Sequence, residues 1–228
     1  MRRGIELRSA HVRYGPLEAL HGVSVAAPAG ADVVTVLLGP NGSGRTTALR
    51  ALAGTVPLAA GHVVWDGVDV TRRTAQARAA AGLCLVPDRQ AVFASLTVAE
   101  NLRLAARGGA TTVALDAYPE LGPLLGRRAG TLSGGEQRML ALCRPLLSGA
   151  RVVLVDEPAQ GMSPRVATRT YELLRGLDAC VVLAEQRLPP GLPGPTGTAT
   201  VLVYELGRGA VVFRGEAGET GGADGRER

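Results

Sequence analysis

Apolar and polar positions alternate from Ile5 through Leu7 to Val12 and Tyr14, the period of a half-buried strand, and the run ends at Gly15-Pro16. A second, short strand is predicted over residues 23–26, before Pro28-Ala29-Gly30. Residues 33–38 read differently: Val-Val-Thr-Val-Leu-Leu is a β-branched run suited to a strand buried on both faces. It leads directly into a glycine-rich stretch, 39–47, and a helix over 48–53 closed by Gly54. Residues 62–70 predict a hairpin about Asp66-Gly67, 75–81 a helix and 83–86 a strand. From Asp88 to about Gly149 the pattern changes to helices and loops. Thr97-Val-Ala-Glu100 is a capping-box start, and Ser133 precedes a helical stretch over 136–147. A buried strand at 151–155, a helix at 165–174, a strand at 179–184 and closing strands near 200–204 and 210–214 complete the pass. Strands alternating with helices predict an α/β core with a largely parallel sheet. The Pro/Gly run 188–198 cannot be helical, and the glycine- and charge-rich tail beyond Gly215 reads as frayed, so 216–228 is expected to be flexible.

Length and charge sharpen this picture only a little. The 228 residues suit one large domain with a helical insert. No stretch approaches the roughly 18 apolar residues of a membrane span, and the charged start Met1-Arg2-Arg3 lacks the apolar core of a signal peptide. A cytoplasmic protein is expected, reaching a membrane only through a partner. Every basic residue is arginine, with no lysine in the chain, and the net charge of +5 is dispersed rather than gathered into a stripe with aromatics. Nucleic acid is therefore not an expected partner. Cys84, Cys143 and Cys180 lie far apart in apolar segments and read as buried small side chains. His11, His21 and His62 lack metal-ligand spacing and are assigned no chemistry.

The chemistry begins at Gly39-Pro40-Asn41-Gly42-Ser43-Gly44-Arg45-Thr46-Thr47, which follows the phosphate-binding pattern G-x4-G-K-[ST] except at the lysine. Glycines let backbone amides approach phosphate oxygens, the following helix N-terminus favours negative charge, and Thr46 offers a hydroxyl to Mg²⁺. The plainer alternative is a glycine-rich strand-to-helix turn with no ligand. Arg45 keeps the positive charge of the usual lysine, but its planar fork is wider and crowds the loop.

Two further motifs stand in order downstream: Leu132-Ser133-Gly134-Gly135-Glu136-Gln137 before a helix, then a buried strand ending in Asp156-Glu157-Pro158. With the phosphate loop, they resemble the signature and Walker B motifs of ATP-binding-cassette proteins, and the resemblance spans residues 5 to about 215. More specifically the chain is similar to the ATPase subunits of branched-chain amino-acid transporters, on Tyr14-Gly15-Pro16-Leu17-Glu18-Ala19-Leu20-His21-Gly22-Val23-Ser24 and Val92-Phe93-Ala94-Ser95-Leu96-Thr97-Val98-Ala99-Glu100-Asn101-Leu102. The stretches 129–142 and 156–164 carry it further.

The resemblance implies a P-loop NTPase core with a mostly parallel sheet, an N-terminal antiparallel β subdomain and a small helical signature subdomain. That gives one cassette over 1–215, with 88–149 inserted. It implies Mg-ATP bound by residues 39–47 of one chain and by Ser133, Gly134, Gly135 and Glu136 of another, so the active unit is a head-to-tail pair beneath membrane permease subunits. Tyr14 would stack on adenine, Thr46 and Asp156 would hold Mg²⁺, and Glu157 would be the general base. Two positions depart from the common pattern: Asp88 replaces a glutamine that senses Mg-ATP, where its oxygens could join the Mg²⁺ shell, and Gln186 occupies the switch-histidine position, as in this subfamily. Pro145 is expected to interrupt the helix after the signature. Arg45 and Asp88 leave a second reading open, a degenerate regulatory half of a heterodimeric cassette pair with little turnover.

Overall fold

A computed structural model describes residues 4–106, 109–192 and 199–217. Strands β1 (Gly4–Tyr14) and β2 (Leu17–Pro28) form a long antiparallel hairpin, and β3 (Val33–Leu38) runs into helix α1 (Arg45–Ala53). After β4 (Ala60–Trp65), β5 (Val68–Asp69), α2 (Ala75–Ala80) and β6 (Leu83–Val86) comes the helical stretch. It comprises α3 (Val98–Ala105), α4 (Thr112–Ala117), 3₁₀ turns at Pro119–Leu124 and Ala129–Thr131, and α5 (Gly134–Ser148). The chain closes with β7 (Val152–Asp156), α6 (Pro164–Arg175), β8 (Cys180–Glu185), β9 (Thr200–Gly207) and β10 (Ala210–Glu216).

The strands make two sheets. One is antiparallel, in the order β2-β1-β4-β5; the other runs β10-β9-β3-β8-β7-β6, parallel except for the β9–β10 hairpin. Period-2 geometry explains the unbroken apolar runs in the second sheet. Val34, Val153, Val155, Val181 and Leu183 turn to one side, against α5 and the helical stretch. Leu37, Val152, Leu154, Val182 and Ala184 turn to the other, where α1 fills the space between the two sheets with Ala48, Leu49, Ala51 and Leu52. The predicted α/β core with its mostly parallel sheet is thus present, and the three cysteines are buried in it. Burial pushes the Cys143 thiol up to about 12 and the Cys180 thiol up to about 11.

Several expectations need correction. The second strand is not four residues but Leu17–Pro28, paired with β1 along its length. Its buried positions, Leu20 and Val23, are three apart instead of two. They face Val12 and Ala10, two apart on β1, so β2 carries one extra residue there. Gly22, at φ 69°, absorbs it as a bulge, which hides the alternation from a period-2 reading. Pro145 does not interrupt α5, which continues to Ser148. The missing amide costs one hydrogen bond, to the Ala141 carbonyl, only three residues from the helix end, and the proline ring is buried. β10 extends through Glu216, paired with Leu202, so the frayed tail does not begin at Gly215 or 216, and the rest of the predicted tail, 218–228, lies outside the described residues. Residues 188–192 carry no helix, Leu192 being fully buried beyond a turn from Pro189, while 193–198 lie outside the described residues. Among the described residues no helix is long and apolar enough to cross a membrane.

Candidate active site

Strand β3 positions the phosphate loop. At its end the Gly39 amide donates to the Glu185 carbonyl of the neighbouring strand at 3.2 Å. Gly39 has φ 146°, and a Cβ there would lie 2.4 Å from the Leu206 carbonyl oxygen and 2.7 Å from Ser43 Oγ, so no other residue follows this path. The loop returns through the Ser43 amide, which donates to the Pro40 carbonyl at 3.1 Å, and enters α1 at Gly44. Gly44 brings no side chain to cap the helix, and no acidic residue lies in the first turn, so the positive end of the helix is offered to whatever fills the space before it.

That space is a cleft of about 700 Å³. Its lining unites most of the residues singled out from the sequence: Tyr14 from the end of β1, Asn41, Gly42, Ser43, Gly44, Arg45, Thr46 and Thr47 from the loop, Asp88 after β6, Asp156 and Glu157 after β7, and Gln186 after β8. The parallel strands β3, β6, β7 and β8 all end at this edge of the sheet, which is why residues more than a hundred positions apart meet there. Gly39 and Pro40 shape the loop from behind without lining the cleft. Tyr14 is 41% exposed, so its ring presents a free face to a planar ligand.

Charge is concentrated on one side. Asp156 is buried, and its carboxyl is raised by that burial and further by Asp88 and Glu157, with the Thr46 side chain and Arg45 opposing. Glu157 follows β7 with φ 50°, a left-handed conformation unusual for a glutamate, pinned by its amide to the Ala184 carbonyl at 2.9 Å. Its Oε1 accepts from both terminal nitrogens of Arg45, at 3.3 Å each, and from Gln186 Nε2 at 3.0 Å. Arg45 also donates to Asn41 Oδ1 at 3.3 Å. Asp88 has a long pair with the exposed Arg89, at 3.8 Å.

The residues fit a nucleotide triphosphate and Mg²⁺. Ser43 Oγ is buried without a hydrogen-bond partner among the described residues, an oxygen that a phosphate could satisfy. No group of three His, Cys, Asp or Glu suited to a metal is found among the described residues. Mg²⁺ needs only one or two protein oxygens, and Asp156 with Thr46 or Asp88 would offer them on this cleft.

Ser133, Gly134, Gly135 and Glu136 do not line this cleft. Ser133 caps α5, its hydroxyl accepting the Glu136 amide at 3.3 Å while Glu136 Oε2 accepts the Ser133 amide at 2.8 Å. That amide, then the hydroxyl, hold the Glu136 carboxyl below the usual range. Within one chain, the two predicted halves of the site stand apart.

Sequence reasoning missed three participants. Arg138, buried on α5, donates to the backbone carbonyls of Asp156, Pro158 (3.2 Å) and Pro87 (2.5 Å), tying the signature helix to the loops that carry Glu157 and Asp88. A lone arginine beside Met139-Leu140-Ala141-Leu142 was its only signal. Glu185, buried, accepts from Tyr171 Oη at 2.6 Å beside the site. The 207–209 turn places Arg208 on the cleft lining, held by Gly209 N to Ser43 O at 3.0 Å, and nothing in the sequence links that hairpin to the loop.

Residues 20–160 match the family model described as ABC transporter. The chain belongs to the ABC transporter family. This ABC cassette is 36% identical over 197 residues to the probable branched-chain amino acid transport ATP-binding protein LivF of Archaeoglobus fulgidus, covering 82% of this chain and 81% of that protein. It is also 36% identical over 186 residues to the high-affinity branched-chain amino acid transport ATP-binding protein BraG of Pseudomonas aeruginosa, covering 76% and 78%. Its fold matches MJ1267, an ATP-binding cassette of an ABC transporter in its ADP conformation, with TM-score 0.76 at 22% identity over 96% of this chain and 93% of that one. The resemblance and the fold class expected from the motifs both hold, and the cassette is an ABC ATPase.

Proposed function

We propose that this cassette is the ATP-hydrolysing subunit of an importer for branched-chain amino acids or related small solutes. It would work as a head-to-tail pair with a second cassette, at the cytoplasmic face of a membrane beneath permease subunits. The observation that carries the reading is the convergence on one cleft of residues 41–47, Tyr14, Asp156, Glu157 and Gln186. The names of LivF and BraG supply the substrate class. An apolar groove of about 530 Å³ between β6 and α3, with Phe93 and Leu104 each 56% exposed, supports a protein partner.

In this reading the loop amides and Arg45 bind the phosphates, and Tyr14 stacks on the adenine. Thr46, Asp156 and Asp88 would hold Mg²⁺, which neutralises phosphate charge when bound. Glu157 orients a water for in-line attack on the γ-phosphorus and takes its proton as the bridging P–O bond breaks and ADP leaves. Gln186 donates its amide toward the γ-phosphate, supplying a hydrogen bond but no positive charge. Ser133, Gly134, Gly135 and Glu136 at the capped start of α5 would close on the triphosphate held by the partner, where the helix N-terminus favours negative charge.

A second reading, a regulatory half with little turnover, is favoured by the hold of Arg45 on Glu157 and by Asp88. Steady-state Mg-ATP hydrolysis by the purified chain together with its second cassette decides between them. Turnover should fall at least about 100-fold in Glu157→Gln. Equal rates in both proteins would remove Glu157 as the base and favour the regulatory half.

A further inference from the structure

The residue that departs most from the phosphate-loop pattern is also the one that holds the general-base candidate. Arg45 is the first residue of α1, and its side chain is 6% exposed; the Glu157 side chain is 19% exposed. The fork reaches across the cleft so that both terminal nitrogens meet one oxygen, Glu157 Oε1, while one of them also meets Asn41 Oδ1. A lysine, with one ammonium on a thin stem, offers no such planar span. Gln186 adds a third donor to the same oxygen at 3.0 Å. The 3.3 Å contacts are longer than those of a tight charge-assisted pair, so the hold is one that a polyanion can displace.

We propose that Arg45 is a positioning residue that latches Glu157 in the nucleotide-free chain and releases it when a nucleoside triphosphate takes over the guanidinium. The fork lies in the loop that receives phosphate, so its charge cannot stay neutralised by Glu157 and also neutralise a phosphate. Nucleotide entry transfers the guanidinium from carboxylate to phosphate and leaves Glu157 with Gln186 and the water it is to activate. Base availability is thereby tied to site occupancy, and nucleotide affinity is reduced by the strength of the latch. The inference rests on the phosphate-binding reading of the 39–47 loop and goes beyond it.

The test is a double-mutant cycle on the full chain, reading the Kd of the non-hydrolysable triphosphate AMP-PNP with Mg²⁺ by calorimetry. Removing the carboxylate charge in Glu157→Gln should tighten binding about tenfold when Arg45 is present, and less than about twofold in an Arg45→Met background. Plain repulsion between Glu157 and phosphate would give the same gain in both backgrounds, and that result overturns the latch while leaving nucleotide binding intact. If Arg45→Met does not fold, Arg45→Lys takes its place, with a gain under about threefold expected and a retained tenfold gain contradicting the proposal. Absence of AMP-PNP binding to the unsubstituted chain at millimolar concentration would sink the phosphate-binding reading itself, and the latch with it.

Discussion

Glu185 illustrates how a single buried group conditions the site. It is 8% exposed, and burial pushes its carboxyl up to about 7, opposed by the Tyr171 hydroxyl and reinforced by Glu157. A carboxyl raised above its ordinary value of 4.5 favours the folded state while protonated. This stabilisation is complete below about pH 4.5 and is lost as pH rises to about 7, a difference on the order of 3 kcal/mol. Glu185→Gln keeps an acceptor for Tyr171 and cannot ionise. Urea unfolding at pH 5 and pH 8 should therefore show a smaller loss of stability in the variant, with Asp156, also raised, leaving a residual slope in the same direction. Parallel profiles would remove Glu185 as a source of the pH dependence. Single residues were legible here where a motif fixes both type and spacing. Arg45, Asp88 and Gln186 stood out as departures from such motifs, and the structure puts all three on the cleft. Their partnerships were not legible, because the contact from Arg45 to Glu157 spans 112 positions, a distance that only the parallel sheet closes.

Elements were legible where one period governs them. β3, β7 and β8 are buried on both faces, so their apolar runs announce them; Thr97 begins α3 through the capping box read from the sequence, and Ser133, read only as preceding a helix, caps α5 in the same way. β2 was read too short because the Gly22 bulge shifts its phase, and Pro145 was overweighted because a proline near a helix end removes little. The tie between elements lies with Arg138. Burial draws its guanidinium pKa down, yet three backbone carbonyls, one at the end of β7 and two in the loops after β6 and β7, accept from it. Arg138→Met should leave these carbonyls unsatisfied and destabilise the fold by at least about 2 kcal/mol in urea melts. It should also lower turnover more than the stability loss accounts for, since the loops bearing Asp88 and Glu157 lose their common anchor. Unchanged turnover in folded protein would mean that the tie is structural alone.

At the scale of the molecule, the residues proposed for the two halves of a nucleotide site stand apart within one chain. The cleft at the ends of β3, β7 and β8 lacks Ser133, Gly134, Gly135 and Glu136, which sit at the start of α5 with their hydrogen bonds directed at one another. The order of motifs made the family legible from sequence, whereas the pairing proposed for two cassettes cannot be written in the periodicity of one chain. In the proposed pair, turnover needs the α5 end of a second cassette, and the most direct test is Ser133→Asp. Aspartate keeps the N-cap acceptor, so stability should stay within about 0.5 kcal/mol, but its charge repels a phosphate presented by the partner. With the second cassette present, Mg-ATP turnover should fall at least about tenfold while AMP-PNP binding to the isolated chain changes less than about twofold. Undiminished turnover in Ser133→Asp would contradict the composite site and leave each cleft to act alone.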